Sequence, residues 1–377
     1  MKKNSRLKTI LVFVVLLMFD FTIKSQVLTL KEAYKDIFLI GVAMSSDQIV
    51  GKNQNDLRII KNQFNSIVAE NSMKNEFIQP TEGKFDFELA DRFVKFGEQH
   101  EMKIIGHTLI WHSQVAPWFF VDKNGNEVSR MVLIKRMKDY ITTVVTRYKG
   151  KIKGWDVVNE ALTEDGSLRN STWYKIIGPE FIQLAFEFAH AADPNAELYY
   201  NDYNLYKPSK RAGAIELVKS LKQRGCRIDA VGEQGHYSLA WNNFSDLEET
   251  IVSFSDIGLK VMITELDISV LPSPNEKMTA EINQSYQYKT EYNLYSKYLP
   301  DSVQLKLTCQ YERLFEILNK HRRSIGRVTF WGLNDAQTWR NNWPIAGRTD
   351  YPLLFDRKNK QKPALVAIIN QAKTDRE

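Results

Sequence analysis

The sequence of 377 residues predicts a single-domain α/β protein with a (β/α)8 TIM barrel fold, and three observations carry this prediction. Short apolar, β-branched runs that end in polar residues recur along the chain. Amphipathic helical patterns separate these runs, and such alternation is typical of parallel sheets. No proline- or serine-rich linker interrupts the chain after its first residues. We therefore predict one domain over residues 26–377, a length within the range of α/β barrels.

Each apolar run is a candidate strand, because continuous apolar stretches of this length are typical of strands buried on both faces. The eight runs are IFLIGVAMSS, FNSIVAENSMK, MKIIGHTLIWH, IKGWDVVNE, AELYYNDYN, IDAVGEQGH, KVMITELD and RVTFWGLND. The helical patterns include LADRFVKFGEQH, SRMVLIKRMKDYITTVVTRY, EFIQLAFEFAHAADP, SKRAGAIELVKSLKQRG and CQYERLFEILNKHRR. A doubly wound open sheet is the alternative, but no G-x-G-x-x-G follows the first run and no Walker loop occurs.

Polar side chains that can bind ligands or take part in chemistry follow nearly every candidate strand. The carboxyl ends of barrel strands surround one mouth, and the active sites of this fold lie there. In an open sheet the same residues would be spread along an edge. The barrel therefore predicts one site from the pairs Glu70 and Asn71, His107 and His112, Asn159 and Glu160, Asn201 and Asp202, Gln234 and His236, Glu265 and Asp267, and Trp331 and Asp335.

Residues 1–25 have the pattern of a secretory signal peptide. Four basic residues precede an apolar run from Ile10 to Phe19, and Ser25 is a small residue suited to cleavage. The run is shorter than the roughly 20 residues that cross a bilayer. We therefore expect cleavage and export to the periplasm or the medium, with an uncleaved membrane anchor as the alternative. No cysteine follows the run, so we do not expect a lipoprotein.

The net charge of +6 comes mostly from this segment, whose five basic residues and one acid leave +2 for the rest of the chain. No basic stripe remains, so we expect no nucleic-acid partner and, after cleavage, no membrane partner. Two cysteines are too few for a disulfide framework. We expect Cys226 and Cys309 to be buried free thiols, with a disulfide as the alternative in an oxidising compartment. We expect a monomer.

Two glutamates close candidate strands: Glu160 ends GWDVVNE and Glu265 stands in VMITELD. One such acid would ordinarily be an exposed loop carboxylate, but a barrel places these two across one mouth. Paired carboxylates cleave glycosidic bonds. One is protonated and gives the leaving oxygen its proton, while the other is ionised and attacks or activates water. The strand ends alone leave open which glutamate has which role.

The neighbours of the two glutamates fit the same chemistry. Asn159 can bond a sugar hydroxyl, and Asp267, two residues past Glu265, points the same way on an extended chain. His236 is placed to bridge these acids and hold Glu265 ionised, although a structural histidine is the alternative. The histidines of HTLIWH are five residues apart, which suits neither a helical nor a tight strand pair of metal ligands. We therefore expect neither a metal nor another cofactor.

The segment TFWGLNDAQTWRNNW, residues 329–343, holds three tryptophans among amides and an acid. Sugar rings have apolar CH faces on which indoles stack, and polar edges that amides and charged groups bond. Any one tryptophan alone is more often a core residue, but several at strand ends beside two acids favour a sugar site. We predict stacking platforms at Trp331, Trp339 and Trp111, and polar contacts from Asn71, Lys74, Gln114 and Gln234.

These motifs resemble the family-10 glycoside hydrolases, which are endo-β-1,4-xylanases from a clan of retaining (β/α)8 enzymes. The resemblance covers almost all of residues 26–377, in the family's order, through ENSMK, PTEGKFDFELAD, GHTLIWHSQ, WDVVNEAL, LRNSTWY, YYNDYN, GEQGH, ITELD, TFWGLNDAQTW and NNWPIAGRTDYPLLFD. One departure is Asn75, where many members have tryptophan, and it puts only local packing and loop shape in doubt.

The resemblance implies that Glu160 is the acid/base and Glu265 the nucleophile of a double displacement on xylan and xylo-oligosaccharides. His236 and Asp267 would support Glu265. The glycone side would be lined by Glu70, Asn71, Lys74, His107, Trp111, Gln114, Asn159, Gln234, Trp331 and Trp339.

Two alternative functions remain beside this reading. One is an endoglucanase or mannanase of the same clan. The other is a catalytically inactive sugar-binding or inhibitor protein on the same barrel, which the presence of both glutamates argues against. We expect no attached carbohydrate-binding module.

Overall fold

A computed structural model describes residues 28–273 and 284–374, so the predicted signal peptide lies outside the described residues. The sheet is a closed barrel of eight parallel strands, because β6 pairs with both β5 and β8 and the remaining strands pair in chain order back to β9. The predicted fold is confirmed. The strands are β1 Leu39–Met44, β2 Ser66–Ala69, β3 Lys103–Ile110, β4 Gly154–Asn159, β5 Glu197–Asp202, β6 Ala230–Glu233, β7 His236–Ser238, β8 Lys260–Ser269 and β9 Ile325–Phe330.

All eight apolar runs form barrel strands because both of their faces are buried. Side chains on the outer face pack under the helices, and those on the inner face fill the barrel. The inner cluster consists of Ala43, Val68, Ile105, Tyr199, Ala230, Met262 and Trp331. This packed interior closes the barrel below the mouth. The mouth is therefore a cleft with a floor, and no pore runs through the barrel.

The five predicted helical patterns form the long helices α5, α6, α8, α9 and α11, and α11 begins eight residues earlier than its pattern. Three further helices of ten or more residues, α3, α10 and α12, were not predicted. Asn53 caps the backbone N–H groups of Asn55 and Asp56 and marks the start of α3. The helices are α1 Leu30–Ala33, α2 Ser46–Ile49, α3 Gln54–Gln63, α4 Asn75–Ile78, α5 Glu88–Gln99, α6 Arg130–Arg147, α7 Thr172–Ile177, α8 Phe181–Ala192, α9 Pro208–Gln223, α10 Phe244–Asp256, α11 Asp301–Lys320 and α12 Pro363–Thr374.

The short strand β7 is an addition to the barrel that the sequence pattern did not predict. After β6 the chain turns at Gly235, whose φ of 84° lies in the left-handed region where glycine carries no Cβ penalty. The chain then pairs with the upper half of β8, and His236 stands opposite Asp267 in this register. The extra strand therefore sets the histidine of GEQGH beside the carboxylate of ITELD.

The two cysteines are free, but the prediction that both are buried is wrong. Cys226 is half-buried, and Cys309 is exposed on the outer face of α11. Cys226 lies in the loop between α9 and β6, where it packs partly against the hydrophobic core, whereas Cys309 lies on α11. Within residues 28–273 and 284–374, no helix combines the length and apolar character needed to span a bilayer.

Candidate active site

A cleft of about 690 Å³ opens at the carboxyl-terminal mouth of the barrel, and both glutamates line it. Most of the predicted site residues line the same cleft, and Asp267, predicted to support Glu265, lies fully buried behind its wall. The structure therefore brings together residues from seven strand ends and their loops. The lining includes Glu70, Asn71, Lys74, His107, Trp111, Gln114, Asn159, Glu160, Gln234, His236, Glu265, Trp331 and Trp339.

Glu160 directly follows β4 and is buried at the cleft wall. Trp111 Nε1 donates to its Oε2 at 2.8 Å, and Gln234 Nε2 donates to its Oε1 at 2.9 Å. Burial raises the pKa of Glu160 above its ordinary value, against these two hydrogen bonds, and the charge of Glu265 raises it further. A glutamate in this environment holds its proton more tightly than one in water.

Glu265 lies in the upper half of β8 and has the opposite environment. His236 Nε2 is 3.2 Å from its Oε2, and Asn201 Nδ2 donates to its Oε1 at 2.9 Å. Burial opposes the ionisation of Glu265. The hydrogen bond with His236 and the charges of His107, His236 and Lys74 outweigh burial and lower the pKa of Glu265 below its ordinary value. This carboxyl is therefore held ionised.

His236 bridges Glu265 and Asp267, as its position in the sequence suggested. Its Nδ1 is 3.0 Å from Asp267 Oδ1. Burial disfavours the imidazolium, but Asp267 and Glu265 together raise the pKa of His236 to about 9. Asp267 also accepts hydrogen bonds from Arg340 Nε at 2.8 Å and from Trp339 Nε1 at 2.7 Å. Burial acts against its charge, yet Arg340 and His236 lower the pKa of Asp267 to about 2.

Side-chain amides connect the two glutamates across the mouth. The amides of Asn159 and Asn201 are 2.9 Å apart, and Asn201 reaches Glu265 while Gln234 reaches Glu160. The amides of Asn201 and Gln234 each bond a carboxylate and Asn159 within the wall, so both are held in place before any ligand binds. The positions of the two carboxyls are thereby fixed relative to each other by the barrel and not by loop motion.

A second group of polar residues occupies the opposite side of the cleft. Lys74 Nζ donates to Asn71 Oδ1 at 2.9 Å and to Gln114 Oε1 at 2.7 Å, and lies 5.0 Å from the Trp111 ring centroid. Burial lowers the pKa of Lys74, against the nearby carboxylates that raise it, and burial raises the pKa of Glu70, against Lys74. These donors and acceptors face one another at spacings suited to sugar hydroxyls.

Trp331 forms the floor of the cleft at the end of β9. Its ring lies edge to face with His107 at 5.3 Å between centroids, and only 7% of the residue is exposed. His107 Nδ1 is 2.9 Å from the buried carboxylate of Asp156, which holds the ring in place. Trp339 stacks on Trp343 at 4.9 Å and forms a side wall.

Several polar residues that the sequence assigned to the mouth do not line the cleft. Asp335 is buried, with Lys362 Nζ 3.0 Å from its Oδ2, and therefore anchors α12 to the barrel. His112 lies behind the wall with Nδ1 4.0 Å from Glu160 Oε2. Asn201 and Asp202 also lie beneath the lining, where they contact the residues that line it.

The loops that follow β5 and β7 form a wall of the cleft that the sequence pattern did not predict. Tyr203, Asn204 and Lys207 line the cleft there, and Trp343 extends the opposite side. The motif NDYN contained the signal for the first wall, because its last residues follow a strand end. Trp343 belonged to the tryptophan segment but was not singled out.

The departure at Asn75 proves to be local. Asn75 is buried at the start of α4, and its Oδ1 accepts a hydrogen bond from the Ala116 backbone N–H at 3.1 Å. It does not line the cleft. The amide thereby ties the loop after β2 to the loop after β3, which carries Gln114.

One carboxyl of the cleft can protonate a bound sugar from one side, while the other carboxyl, which is ionised, faces the sugar from the other side. Within the described ranges, no group of three or more His, Cys, Asp or Glu side chains has the geometry to hold a metal ion. The two carboxyls of the cleft, one with a raised and one with a lowered pKa, support acid–base and nucleophilic catalysis.

Comparison with known proteins adds independent findings. The family model described as "Glycosyl hydrolase family 10" matches residues 29–371. The chain is 50% identical over 341 residues to Endo-1,4-beta-xylanase A of Xylanibacter ruminicola, covering 90% of this chain and 92% of that protein. A GH10 endoxylanase structure from a sugarcane soil metagenome superposes with a TM-score of 0.88 at 44% identity, covering 91% of this chain and 99% of the other. A mutant structure in complex with xylotriose superposes with a TM-score of 0.81 at 36% identity, covering 91% and 99%.

Proposed function

The chain belongs to glycosyl hydrolase family 10 and is an endo-1,4-β-xylanase, and from this premise we propose its mechanism. It hydrolyses internal β-1,4 bonds of xylan and xylo-oligosaccharides by a retaining double displacement. Glu160 is the acid/base and Glu265 is the nucleophile. The observation that carries the assignment is the opposite environment of the two carboxyls in one cleft, with the pKa of Glu160 raised and that of Glu265 lowered.

In the first step the Glu265 carboxylate attacks the anomeric carbon, and the bond from that carbon to the glycosidic oxygen breaks. The Glu160 carboxyl gives its proton to the departing oxygen, so the aglycone leaves as an alcohol. The products are an ester between Glu265 and the sugar and a carboxylate at Glu160.

In the second step the Glu160 carboxylate takes a proton from water as the water oxygen attacks the same carbon. The ester bond breaks and Glu265 leaves as a carboxylate. Two inversions at one carbon retain the β configuration. His236, held by Asp267, keeps Glu265 ionised at the start of each cycle.

The glycone is bound by Glu70, Asn71, Lys74, Asn159, Gln234 and His107, with Trp331, Trp339 and Trp111 as apolar surfaces and Gln114 beside Lys74. The hydrogen bonds of Lys74 to Asn71 and Gln114 support this assignment, because they orient the polar groups in advance.

Two experiments test the proposal. Reducing-sugar release should be rapid on xylan and low on carboxymethyl cellulose and mannan, and equal release on all three would contradict xylan selectivity. An NMR time course should show the β-anomer as the first product. The α-anomer first, or carboxyl groups too far apart for direct attack, would overturn the double displacement. We expect a carboxyl separation of about 5–5.5 Å.

We also propose that the protein is exported after cleavage near Ser25 and acts as a monomer. The basic, apolar and small residues of the first 25 positions support export. Mass spectrometry of protein from the culture fluid or periplasm should find a chain that lacks these residues. Light scattering should give the mass of one chain.

A further inference from the structure

The loop that follows Glu160 packs directly against the first turns of α9, and glycines permit this contact. A Cβ on Gly213 would lie 2.1 Å from the backbone oxygen of Gly166, and one on Gly166 would lie 2.4 Å from that of Ser209. No larger residue fits at either position without moving the backbone. The helix α9 therefore reaches under the acid/base loop from outside the barrel.

The side chain that α9 contributes at this contact is Lys210, which is completely buried. Its Nζ lies 2.8 Å from Asp202 Oδ1 and 3.3 Å from the centroid of the Tyr203 ring. Glu164 Oε1 is farther away, at 3.8 Å. A buried ammonium is costly unless it is paired, so its placement here calls for a role that an apolar residue would not fill.

Asp202 links Lys210 to the segment that carries Glu160. Its Oδ2 accepts hydrogen bonds from Tyr200 Oη at 2.5 Å and from the Leu162 backbone N–H at 3.3 Å. Its backbone oxygen accepts from the Gln234 N–H at 3.0 Å, and the Gln234 side chain donates to Glu160. The ion pair thus holds both the chain after Glu160 and a direct partner of its carboxyl.

Arg169 completes the support from the other side. Its Nε donates to the Glu160 backbone oxygen at 2.9 Å, and its Nη2 donates to Tyr203 Oη at 3.1 Å. Glu160 has a φ of 57°, a conformation that a non-glycine residue adopts only when its surroundings hold it there. Tyr203 lines the cleft, so the network connects Lys210 to the cleft wall.

We propose that Lys210 is a positioning residue for the acid/base: through Asp202 and Tyr203 it holds the turn that carries Glu160, and its charge stabilises the carboxylate that Glu160 becomes after it has given up its proton. This inference rests on the proposed role of Glu160. Lys210 lies outside the cleft, on the helical layer, and contributes to both chemical steps through Glu160.

The charges around the two groups determine the direction of the expected effect. Lys210 lowers the pKa of Glu160, whereas Glu160 raises the pKa of Asp202. Because repulsion between two like charges acts on both, we expect an ionised Asp202 to disfavour the Glu160 carboxylate. Lys210 itself faces Asp202, Glu164 and Glu233. The charged or titratable groups around Glu160 are Glu265 and Lys74, which line the cleft, and His112, Arg169, Asp202 and Lys210, which lie behind its wall.

The test is the pH dependence of kcat/KM on an aryl xylobioside whose leaving group needs a proton. Lys210→Met should move the basic limb to higher pH and Asp202→Asn should move it to lower pH, each by about 0.5 unit or more. The double variant should return the limb close to the wild-type position. Loss of structure alone would not shift one limb in opposite directions for the two members of one ion pair.

Lys362→Met is the matched control, because Lys362 forms another buried ion pair, with Asp335, away from Glu160. Its basic limb should remain at the wild-type pH. If Lys210→Met does not fold, Asp202→Asn and the double variant carry the same comparison. A limb that stays in place in both single variants, or moves in the same direction in both, overturns the proposal.

Failure of the proposed function would look different. If Glu160 is not the acid, the basic limb of the pH profile of Glu160→Gln remains at the wild-type pH. If Glu160 is the acid but Lys210 has no part, that limb disappears in Glu160→Gln and is unmoved in Lys210→Met. The two results distinguish an error in the role of Glu160 from an error in the role of Lys210.

Discussion

Replacing Trp111 with phenylalanine should move the basic limb of the pH–activity profile to higher pH. The indole Nε1 donates to Glu160 Oε2 at 2.8 Å, and a phenyl ring keeps most of the apolar surface but has no donor. The hydrogen bond stabilises the carboxylate, so its loss favours the protonated form. The pKa of Glu160 is already raised by burial and should rise further in the variant.

The size of the shift follows from the bond that is lost. A hydrogen bond to a buried charged group contributes about 1.5–3 kcal/mol, and one pKa unit corresponds to about 1.4 kcal/mol. The Gln234 hydrogen bond to the other oxygen remains and shares the charge. We therefore take the lower part of the range and expect a shift of about 1 pH unit.

The direction of this pH shift follows from the first chemical step. Glu160 must be protonated to assist the leaving group, so kcat/KM falls as the pH rises through its pKa. A higher pKa keeps the acid protonated to higher pH, and the fall comes later. The measurement is kcat/KM on an aryl xylobioside with a poor leaving group, across the neutral and alkaline range.

Trp118→Phe is the control for this variant. Trp118 also loses an indole hydrogen bond, from Nε1 to the Gln79 backbone oxygen at 2.9 Å, and it does not line the cleft. The basic limb of the pH profile of Trp118→Phe should remain at the wild-type pH. A limb that also stays in place in Trp111→Phe would refute the claim that this donor sets the protonation of Glu160.

Three other predictions concern roles, selectivity and packing. Glu160→Ala should retain its first step on activated aryl xylobiosides, which need no proton, whereas Glu265→Ala should lose turnover on every substrate; equal residual activity would contradict these roles. Trp331→Ala should lower kcat/KM on aryl xylobioside yet narrow the preference for it over aryl cellobioside, because we expect the indole at the cleft floor to crowd the position of an added hydroxymethyl group; equal losses on both substrates would leave Trp331 only a stacking role. Gly213→Ala should cost about 1–3 kcal/mol of unfolding free energy, since its Cβ meets backbone, and an unchanged urea midpoint would argue against the close contact.

The local pattern of the sequence was sufficient to predict the barrel and the position of the two glutamates. Apolar runs indicate strands that are buried on both faces. A parallel barrel places the residue after each run at one mouth, and this does not depend on the conformation of the loops. Glu160 and Glu265 could therefore be assigned to one cleft before any contact was known. Helices such as α3 and α10 were missed because their patterns are partly polar, and only packing against the barrel selects them.

The sequence could not separate residues that line the cleft from residues that support it. Asp335 and Asp267 both stand among the polar residues that the sequence placed at the mouth, yet Asp335 pairs with Lys362 just before α12 while Asp267 orients His236. Lys210 reads in sequence as one polar position of an amphipathic helix, although it lies completely buried beneath Glu160.

What the sequence by itself determined is the fold, the mouth and the two carboxyls, because each depends on the polarity of adjacent residues. What only the tertiary structure decided is the proton affinity of those carboxyls. Glu160 and Glu265 are the same side chain in similar strand-end settings, and their pKa values move apart because Glu265 faces His236 and Lys74 while Glu160 is buried with fewer opposing charges. Those neighbours come from distant strands, so burial and charge at each carboxyl exist only once the barrel has closed.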